Sequence, residues 1–426
     1  MSPQVQSDGS VQETRSPASI AWIVGFFFAF RAVILLVSVR FFGMEPSTGA
    51  GVELALNFLL FAGVLVDKIG RPILPAQAFS HMPERRWVFC FLILSGCSLV
   101  WSVTASLSAA IAFWCAMAAD IGIVLLLVHI YPVEKVLTDL MKGFVCGACL
   151  VAFVAWILPA QSDLRLGDEQ LLGPNQIAYA CAFALFFSQY LARVVGSNWS
   201  WATALLGVTT FRTLSKTTII ALLIAQTYLL LWDRTLTRKT RILMLSGAIL
   251  TIVVFSGLIS SYLDIYTSAG NQAETLTGRL GLWAIFLDES LQRPWIGHGF
   301  HSAWKVIPPF GPDQFEARHA HNELLQQFYA YGALGITALL GLYRSFFRTV
   351  RRLPEGHLRT LLLSLFIFVL IRGLADTEPF DLSLPLWAIV LFSYQIESHV
   401  KEPSSALLLH PQGTFPALSP DAASGG

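Results

Sequence analysis

The sequence predicts an all-α polytopic membrane protein with about 12 transmembrane helices. Of its 426 residues, 55% are hydrophobic and only 13% are charged, and the mean hydropathy is +0.62. A soluble domain carries about 25% charged residues. Apolar runs of about 20 residues, the length that crosses a bilayer as a helix, recur along the whole chain. Together these observations favour a bundle of membrane-spanning helices.

The apolar segments fall into two blocks, with nine spans in residues 18–262 and three in residues 321–399. The first segment is too long for a cleavable signal peptide and contains Arg31, so we expect it to be retained as a span. The seventh and twelfth segments are the shortest. The predicted spans are 18–40, 50–67, 87–105, 108–131, 143–160, 174–195, 199–212, 217–232, 242–262, 322–343, 359–374 and 385–399.

The segments outside the spans predict the orientation of the chain. Residues 1–17 and 400–426 have the composition of disordered tails. With the N-terminus inside, the inner loops carry about twice as many Lys and Arg residues as the outer ones, which favours both termini in the cytoplasm. Residues 263–320 then form one long outer loop. Its apolar positions Leu280, Trp283, Phe286 and Leu287 predict an amphipathic helix on the membrane face.

The most informative short pattern lies where this outer loop ends and the span 322–343 begins. His321-Asn322 is followed, after nine residues, by Gly332 and Gly335. Histidine exchanges protons near neutral pH, so His321 is a candidate general base at the membrane surface. At about 100° per residue, a continuous helix would place Gly332 under His321, and glycines on that face predict close helix packing. The alternative is an ordinary interfacial histidine.

Arg212 and Lys216 lie in the short outer turn between spans 199–212 and 217–232. Their charges are unexpected there, because positive charge is depleted from such turns. Arg212 and Lys216 either extend to phospholipid headgroups or bind an anionic ligand. Lys216 lies on the first turn of its helix, where a bound phosphate would interact favourably with the helix dipole. We therefore consider both residues candidates for phosphate binding.

The His321-Asn322 pattern with Gly332-x-x-Gly335 resembles the signature of the bacterial O-antigen ligase and polymerase superfamily. The stretch from Gly278-Arg279 to Trp283 is similar to the family's Gly-Arg…Trp segment before the catalytic histidine. Two further likenesses are looser. Ser215-Lys216-Thr217 stands where the family has Ser-Arg followed by a small residue, and Pro174-Asn175-Gln176 resembles a common helix start, whose simplest role is capping.

The resemblance implies a metal-independent glycosyltransferase without a cofactor, in the bacterial inner membrane, with its site facing the periplasm. The implied donor is a glycan on undecaprenyl pyrophosphate, whose pyrophosphate would contact Lys216, Arg212 and Arg279. His321 would take the proton of an acceptor hydroxyl as that oxygen attacks and inverts the anomeric carbon. Asp376, in the outer turn after span 359–374, would orient the imidazole or bind a sugar hydroxyl, or is an ordinary solvated acid.

The nearby histidines His298, His301 and His319 leave a metal site with His321 as an alternative. No standard helical zinc motif is present, and the resemblance implies a metal-independent enzyme, so we expect no metal. The net charge of +1 says nothing about nucleic-acid binding, but no basic run with interleaved aromatics occurs, so we expect no nucleic-acid partner.

The acceptor stays open. A lipid A–core acceptor makes the chain an O-antigen ligase, and a second lipid-linked glycan makes it an O-antigen or exopolysaccharide polymerase. A protein hydroxyl is a third option. The alternative from a different functional class is a multispan transporter or flippase. Such carriers place polar groups near the membrane midplane. Arg31 and Asp120 lie within predicted spans and offer some support for it, although the sequence identifies no partner for Asp120.

Overall fold

The computed structural model describes residues 19–69, 82–161, 164–168, 170–234, 236–261, 276–307, 309, 317–377 and 382–407. Throughout these ranges the regular structure is helical and no strand occurs, so the predicted helical class is confirmed. The predicted N-terminal tail, the first part of the long outer loop and residues 408–426 lie outside the described residues.

In chain order, the α-helices of the described residues are α1 (Ile20–Arg40), α2 (Pro46–Ile69), α3 (Pro83–Ser98), α4 (Leu107–Ile130), α5 (Val133–Ile157), α6 (Pro174–Val194), α7 (Ser200–Arg212), α8 (Lys216–Trp232), α9 (Arg238–Val254), α10 (Leu276–Gln292), α11 (Glu323–Arg352), α12 (His357–Gly373) and α13 (Leu386–Leu407).

Five helices are long and apolar enough to cross a membrane, namely α1, α2, α4, α5 and α6. The helix α8 is apolar but shorter. Each of the twelve predicted segments overlaps a helix, but membrane crossing by the other segments stays a prediction. The last helix reaches Leu407, past residue 400, where the sequence predicts that the tail begins.

The core is built on very close packing of α1 against α5. A Cβ added to Gly25 of α1 or to Gly143 of α5 would collide with the backbone of the other helix. Glycine therefore permits the two helices to approach as small residues do in membrane bundles. Next to this pair, α13 is buried from residue 386 to 397, and its Trp387 packs on Phe28 and Phe144.

The helix α10 confirms a helix at the predicted amphipathic stretch, but its apolar residues face two ways. Phe286 is buried and packs against Tyr329 of α11. Leu280 and Leu287 are exposed on another side of the helix. Contact of that exposed side with the membrane stays a prediction.

Gly332 breaks α11, so the prediction of one continuous helix below His321 is wrong. Gly332 has φ +62° and ψ −149°, which is not helical. A Cβ at this position would collide with the backbone of Trp295 and Ile296. The glycine therefore lets the segment after α10 approach the helix break, where Ala333 N donates to Pro294 O at 2.8 Å.

The segment after α10 continues along the break in α11. The backbone N–H of His298 donates to Tyr329 O at 2.9 Å, and that of Gly299 donates to Ala330 O at 2.8 Å. Gly335 packs within α11, because an added Cβ there would approach Gln327 O at 2.5 Å. The two glycines therefore do not pack two straight helices together. Gly332 permits the segment after α10 to contact α11, and Gly335 permits the kink within α11.

Candidate functional site

Asn322 determines where His321 lies relative to α11. Its side-chain Oδ1 accepts the N–H of Leu325 at 3.0 Å, so Asn322 is the N-cap and the helix begins at Glu323. His321 therefore precedes the helix, with φ +51°, and does not lie on its first turn as the sequence predicts. The amide Nδ2 of Asn322 also donates to Leu374 O at 2.9 Å, which joins the histidine to the turn after α12.

His321 contacts Asp376 in that turn. The distance between His321 Nδ1 and Asp376 Oδ1 is 3.0 Å, and the N–H of Thr377 donates to the same oxygen at 3.0 Å. The second oxygen, Oδ2, accepts a hydrogen bond from Arg372 at 3.3 Å. Burial alone raises the pKa of Asp376, but Arg372 and the hydrogen bond from His321 outweigh it and hold the pKa well below its ordinary value.

This geometry assigns the two nitrogens of His321 different roles. An ionised carboxylate only accepts hydrogen bonds, so the proton of the neutral ring lies on Nδ1 and points at Asp376. The other nitrogen, Nε2, keeps its lone pair and can accept a proton. The His321 side chain is 22% exposed, whereas that of Asp376 is 2% exposed. The pair can therefore take up a proton at an accessible atom and stabilise the resulting charge from a buried one.

His319 packs against His321, with ring centroids 4.1 Å apart. Its Nδ1 accepts the backbone N–H of His321 at 3.4 Å. Burial lowers the pKa of His319 well below its ordinary value, and the guanidinium groups of Arg372 and Arg279 lower it further. His319 is therefore neutral at pH 7 and supports the loop that carries His321.

The two pairs of histidines considered as one metal site do not come together. His298 stacks on Tyr329 at 4.6 Å, and His301 Nδ1 contacts Thr104 Oγ1 at 2.9 Å. Within the described part of the chain, His319, His321 and Asp376 form a group that could hold an ion, with ligand atoms within 4.8 Å of one another. The Arg372 charge beside the carboxylate opposes a cation there. The expectation of no metal stays a prediction.

The helix α10 holds both halves of the His321–Asp376 pair. Arg279 Nη1 donates to Ala375 O at 2.6 Å, directly before Asp376. One helical turn later, Trp283 Nε1 donates to Ala320 O at 2.9 Å, directly before His321. The two residues on which the family resemblance rests in α10 therefore position the two loops that carry the imidazole and the carboxylate.

Arg279 also reaches the start of α8, since its Nη1 lies 3.2 Å from Thr217 Oγ1. Lys216 is exposed and is the first residue of α8. Arg279 and Lys216 thus lie at the same helix N-terminus, where backbone N–H groups and the helix dipole attract anions. Arg212 has a different environment, because its Nη1 donates to Leu164 O at 2.7 Å. Phosphate binding by these three cations stays a prediction.

Three further residues hold this end of the protein together without having been singled out from the sequence. Arg372 binds Asp376, and its position four residues before that acid was the available signal. Arg165 is buried, and its Nη2 donates to Asn175 Oδ1 at 2.9 Å. Ser215 Oγ donates to the same oxygen at 2.8 Å, which fixes the turn before α8.

The Pro174-Asn175-Gln176 pattern does mark a helix start, since α6 begins at Pro174, but the capping side chain is not that of Asn175. Gln176 takes that role, since its Oε1 accepts the N–H of Gly173 at 3.2 Å. The side chain of Asn175 instead joins the buried Arg165 to the α7–α8 turn. This tertiary contact spans 40 residues in sequence and leaves no local pattern.

Comparison with known proteins gives one family. Residues 201–340 match the family model described as O-antigen ligase, and no curated protein matches the chain. The matched range includes Arg212, Lys216, Arg279, His321 and the glycines at 332 and 335, whereas Arg372 and Asp376 lie beyond it. The match covers about a third of the chain, agrees with the resemblance seen in the sequence, and supports membership in the O-antigen ligase family.

Proposed function

We propose that this protein transfers a glycan from undecaprenyl pyrophosphate to an acceptor hydroxyl at the membrane, with His321 as the general base. The match of residues 201–340 to the O-antigen ligase family model supports a membrane activity of the O-antigen ligase or polymerase type. The observation that carries the proposal is the 3.0 Å contact between His321 Nδ1 and the buried Asp376 carboxylate. It leaves Nε2 as a proton acceptor, and Arg279 joins the residue before Asp376 to the start of α8.

In the proposed reaction, His321 Nε2 takes the proton of the acceptor hydroxyl while that oxygen attacks the anomeric carbon of the donor. The bond from the anomeric carbon to the pyrophosphate oxygen breaks, and the electron pair leaves with the pyrophosphate. The product has the inverted anomeric configuration. Asp376 keeps the imidazole oriented and stabilises the imidazolium that forms, as a carboxylate does beside a catalytic histidine.

The cations around the N-terminus of α8 would stabilise the leaving group. Negative charge grows on the pyrophosphate in the transition state, and fixed positive groups lower the free energy of that state more than that of the bound donor. Arg279 is already oriented by Ala375 and Thr217. Lys216 adds a charge at the helix start, and Arg212 would contribute the guanidinium nitrogens that do not bind Leu164. A donor pyrophosphate bound there would also offset the repulsion among the three positive side chains.

The proposed site faces the periplasm in an inner-membrane protein with both termini in the cytoplasm. The bias of Lys and Arg between loops supports this orientation. In that orientation the starts of α8 and α11 and the end of α12 lie on the outer side, and contacts between Arg279, Thr217, Asn322 and Leu374 join those helix ends. The donor glycan would thus be used on the side opposite to the cytoplasm.

Replacing His321 with Ala tests the proposal in cells. We expect lipid-linked glycan to accumulate on the outer face and the finished glycoconjugate to disappear, while the variant is present in membranes at the normal amount. His357→Ala, at the start of α12 and thus at its opposite end, is the matched control and should leave the product unchanged. Normal product in the His321→Ala strain would contradict the proposal.

The identity of the product separates a ligase from a polymerase. Loss of glycan from lipid A–core, with long lipid-linked chains still present, indicates ligation to lipopolysaccharide. Loss of chain length, with single repeating units accumulating on the lipid, indicates polymerisation of O-antigen or exopolysaccharide. The His321→Ala strain gives both readouts in one extraction.

A further inference from the structure

A cavity of about 290 Å³ lies among α1, α2, α4 and α6, next to the proposed site. One wall is Tyr179, whose ring lies 4.4 Å below the guanidinium of Arg372. Arg372 in turn binds Asp376. The cavity and the proposed catalytic pair are therefore separated by a single stacked pair of side chains. Its volume is at the lower end of the range of roughly 300–1,000 Å³ found for small-molecule sites.

Charged groups line the cavity at mid-depth in the bundle. Arg31 and Asp120 lie near the middle of α1 and α4, and Arg31 Nη1 contacts Asp120 Oδ2 at 2.7 Å. The structure thus supplies the partner for Asp120 that the sequence left unidentified. Glu53 of α2 lines the same space. Ionisable groups at this depth are costly and mark ligand sites or transport pathways when they face a cavity.

Two oxygen atoms at this cavity accept no hydrogen bond within 3.5 Å from the described residues, although the Asn57 side chain lies close to the Asp120 carboxylate. They are Asp120 Oδ1 and Asn57 Oδ1, and the two residues are only 5% and 3% exposed. The amide nitrogen of Asn57 donates to Ala116 O at 3.2 Å, which fixes the orientation of the amide. Buried acceptors without a donor are unfavourable, so an occupant that donates hydrogen bonds would be stabilised here.

The remaining lining defines the chemistry of that occupant. The aromatic rings of Phe28, Phe183 and Trp387 provide flat apolar faces beside the acceptor oxygens. A polyprenyl chain would suit these rings but would leave both oxygens unsatisfied. An ammonium group would be repelled by Arg31. A sugar ring has an apolar C–H face for the aromatics, hydroxyl donors for Asp120 and Asn57, and oxygen acceptors for an arginine.

We propose that this cavity binds a saccharide unit of one of the two substrates, through hydroxyl groups donated to Asp120 and Asn57. This inference rests on the proposed glycan transfer and adds a binding site to it. The saccharide comes either from the lipid-linked donor or from the acceptor, and both present the same hydroxyl chemistry to the cavity.

Binding without turnover tests the inference. Purified His321→Ala protein in lipid nanodiscs is titrated with two probes, and binding is followed by saturation-transfer NMR. The first probe is the saccharide released from the bacterium's lipid-linked glycan by mild acid. The second is the lipid-free oligosaccharide of lipid A–core. The binding of each probe is also measured with Asn57→Leu, which removes a hydrogen-bond acceptor, and with Ala180→Leu, which fills the cavity. Ala55→Leu, on the exposed side of α2, is the matched control.

We expect Asn57→Leu to weaken binding of one probe about fivefold, the effect of losing one hydrogen bond, and Ala180→Leu to weaken it at least as much. The control should bind like the parent. An effect on the first probe assigns the cavity to the donor, and an effect on the second assigns it to the acceptor. If neither probe binds, or if both cavity variants bind like the control, the inference is wrong. Activity of the His321→Ala protein would instead contradict the proposed function, so the two failures are distinguishable.

Discussion

Arg279 Nη1 lies 2.6 Å from the carbonyl oxygen of Ala375, so a cation from α10 is fixed directly beside the carboxylate that binds the imidazole. Trp283, one turn further along α10, donates to Ala320 O and so holds the loop that carries His321. One helix therefore sets the distance between His321 and Asp376. The arrangement brings the proposed proton acceptor and a positive charge to the same side of the protein, as the proposed transfer from a pyrophosphate requires.

Arg279→Ala should remove both the contact that holds Ala375 and the positive charge that would stabilise the leaving pyrophosphate. We expect kcat to fall at least about a hundredfold, because a lost donor to developing charge costs about that much. Arg279→Lys should recover only part of the rate, since an ammonium cannot contact Ala375 and a phosphate with the same planar group. The rates are measured with lipid-linked donor in proteoliposomes. Arg293→Ala, just after the same helix, is the control, and equal rates in both alanine variants would contradict the assignment.

Lys216→Ala should raise the KM for donor and lower kcat, because a charge at the start of α8 is lost. Lys216→Arg should retain most of the activity, since the charge remains. The control is Lys135→Ala, an exposed lysine in the first turn of α5. Full activity of Lys216→Ala would mean that this lysine only contacts phospholipid headgroups.

Asp376→Asn should lower kcat by about 10²–10⁴-fold with little change in KM, because the amide neither orients the Nδ1 proton nor stabilises the imidazolium. The pKa of Asp376 in the folded protein lies well below its unfolded value of about 3.8. The ionised Asp376 therefore contributes fully to the stability of the folded protein at pH values above about 3.8. This contribution declines as the pH falls below about 4. The melting temperature should thus drop less steeply in acid for Asp376→Asn than for the unchanged protein, and parallel curves would contradict the account.

His319 predicts a separate acid response at higher pH. Its pKa is lowered by burial, so the unfolded chain gains a proton below about 6.5 while the folded protein stays neutral to lower pH. Stability is then full above about 6.5 and declines as the pH falls below it. Between pH 7.5 and 5.5 the melting temperature of His319→Gln should change less than that of the unchanged protein. An equal change in both would show that His319 is not a buried neutral group.

Gly332→Ala should destabilise the protein by about 1–3 kcal/mol, because residue 332 needs a positive φ and a Cβ would meet the backbone of Trp295. Gly63→Ala is the matched control, since an added Cβ in α2 meets nothing within 4 Å. That substitution should be neutral or stabilise the protein by about 0.4–1 kcal/mol. The melting temperatures of the two variants give the comparison, and similar values would show that the break in α11 does not depend on glycine.

The sequence was sufficient for the helices, because apolar runs are local patterns, whereas the roles of the site residues stay predictions. It was not sufficient for their contacts. The pairing of His321 with Asp376 joins residues 55 positions apart, and it depends on the packing of α10 against both loops and on the Asn322–Leu374 contact. The continuous-helix argument failed at Gly332, where tertiary contact with residues 294–299 overrides the local helical tendency. The Arg31–Asp120 pair was also invisible, since it depends on how α1 and α4 pack.

The most direct measurement is the single-turnover rate of purified His321→Ala in proteoliposomes in which the protein exceeds the lipid-linked donor and the acceptor is in excess. The account predicts that the variant binds donor normally but transfers glycan at least about a hundredfold more slowly than the unchanged protein. Transfer at the unchanged rate by a correctly folded His321→Ala protein would contradict it.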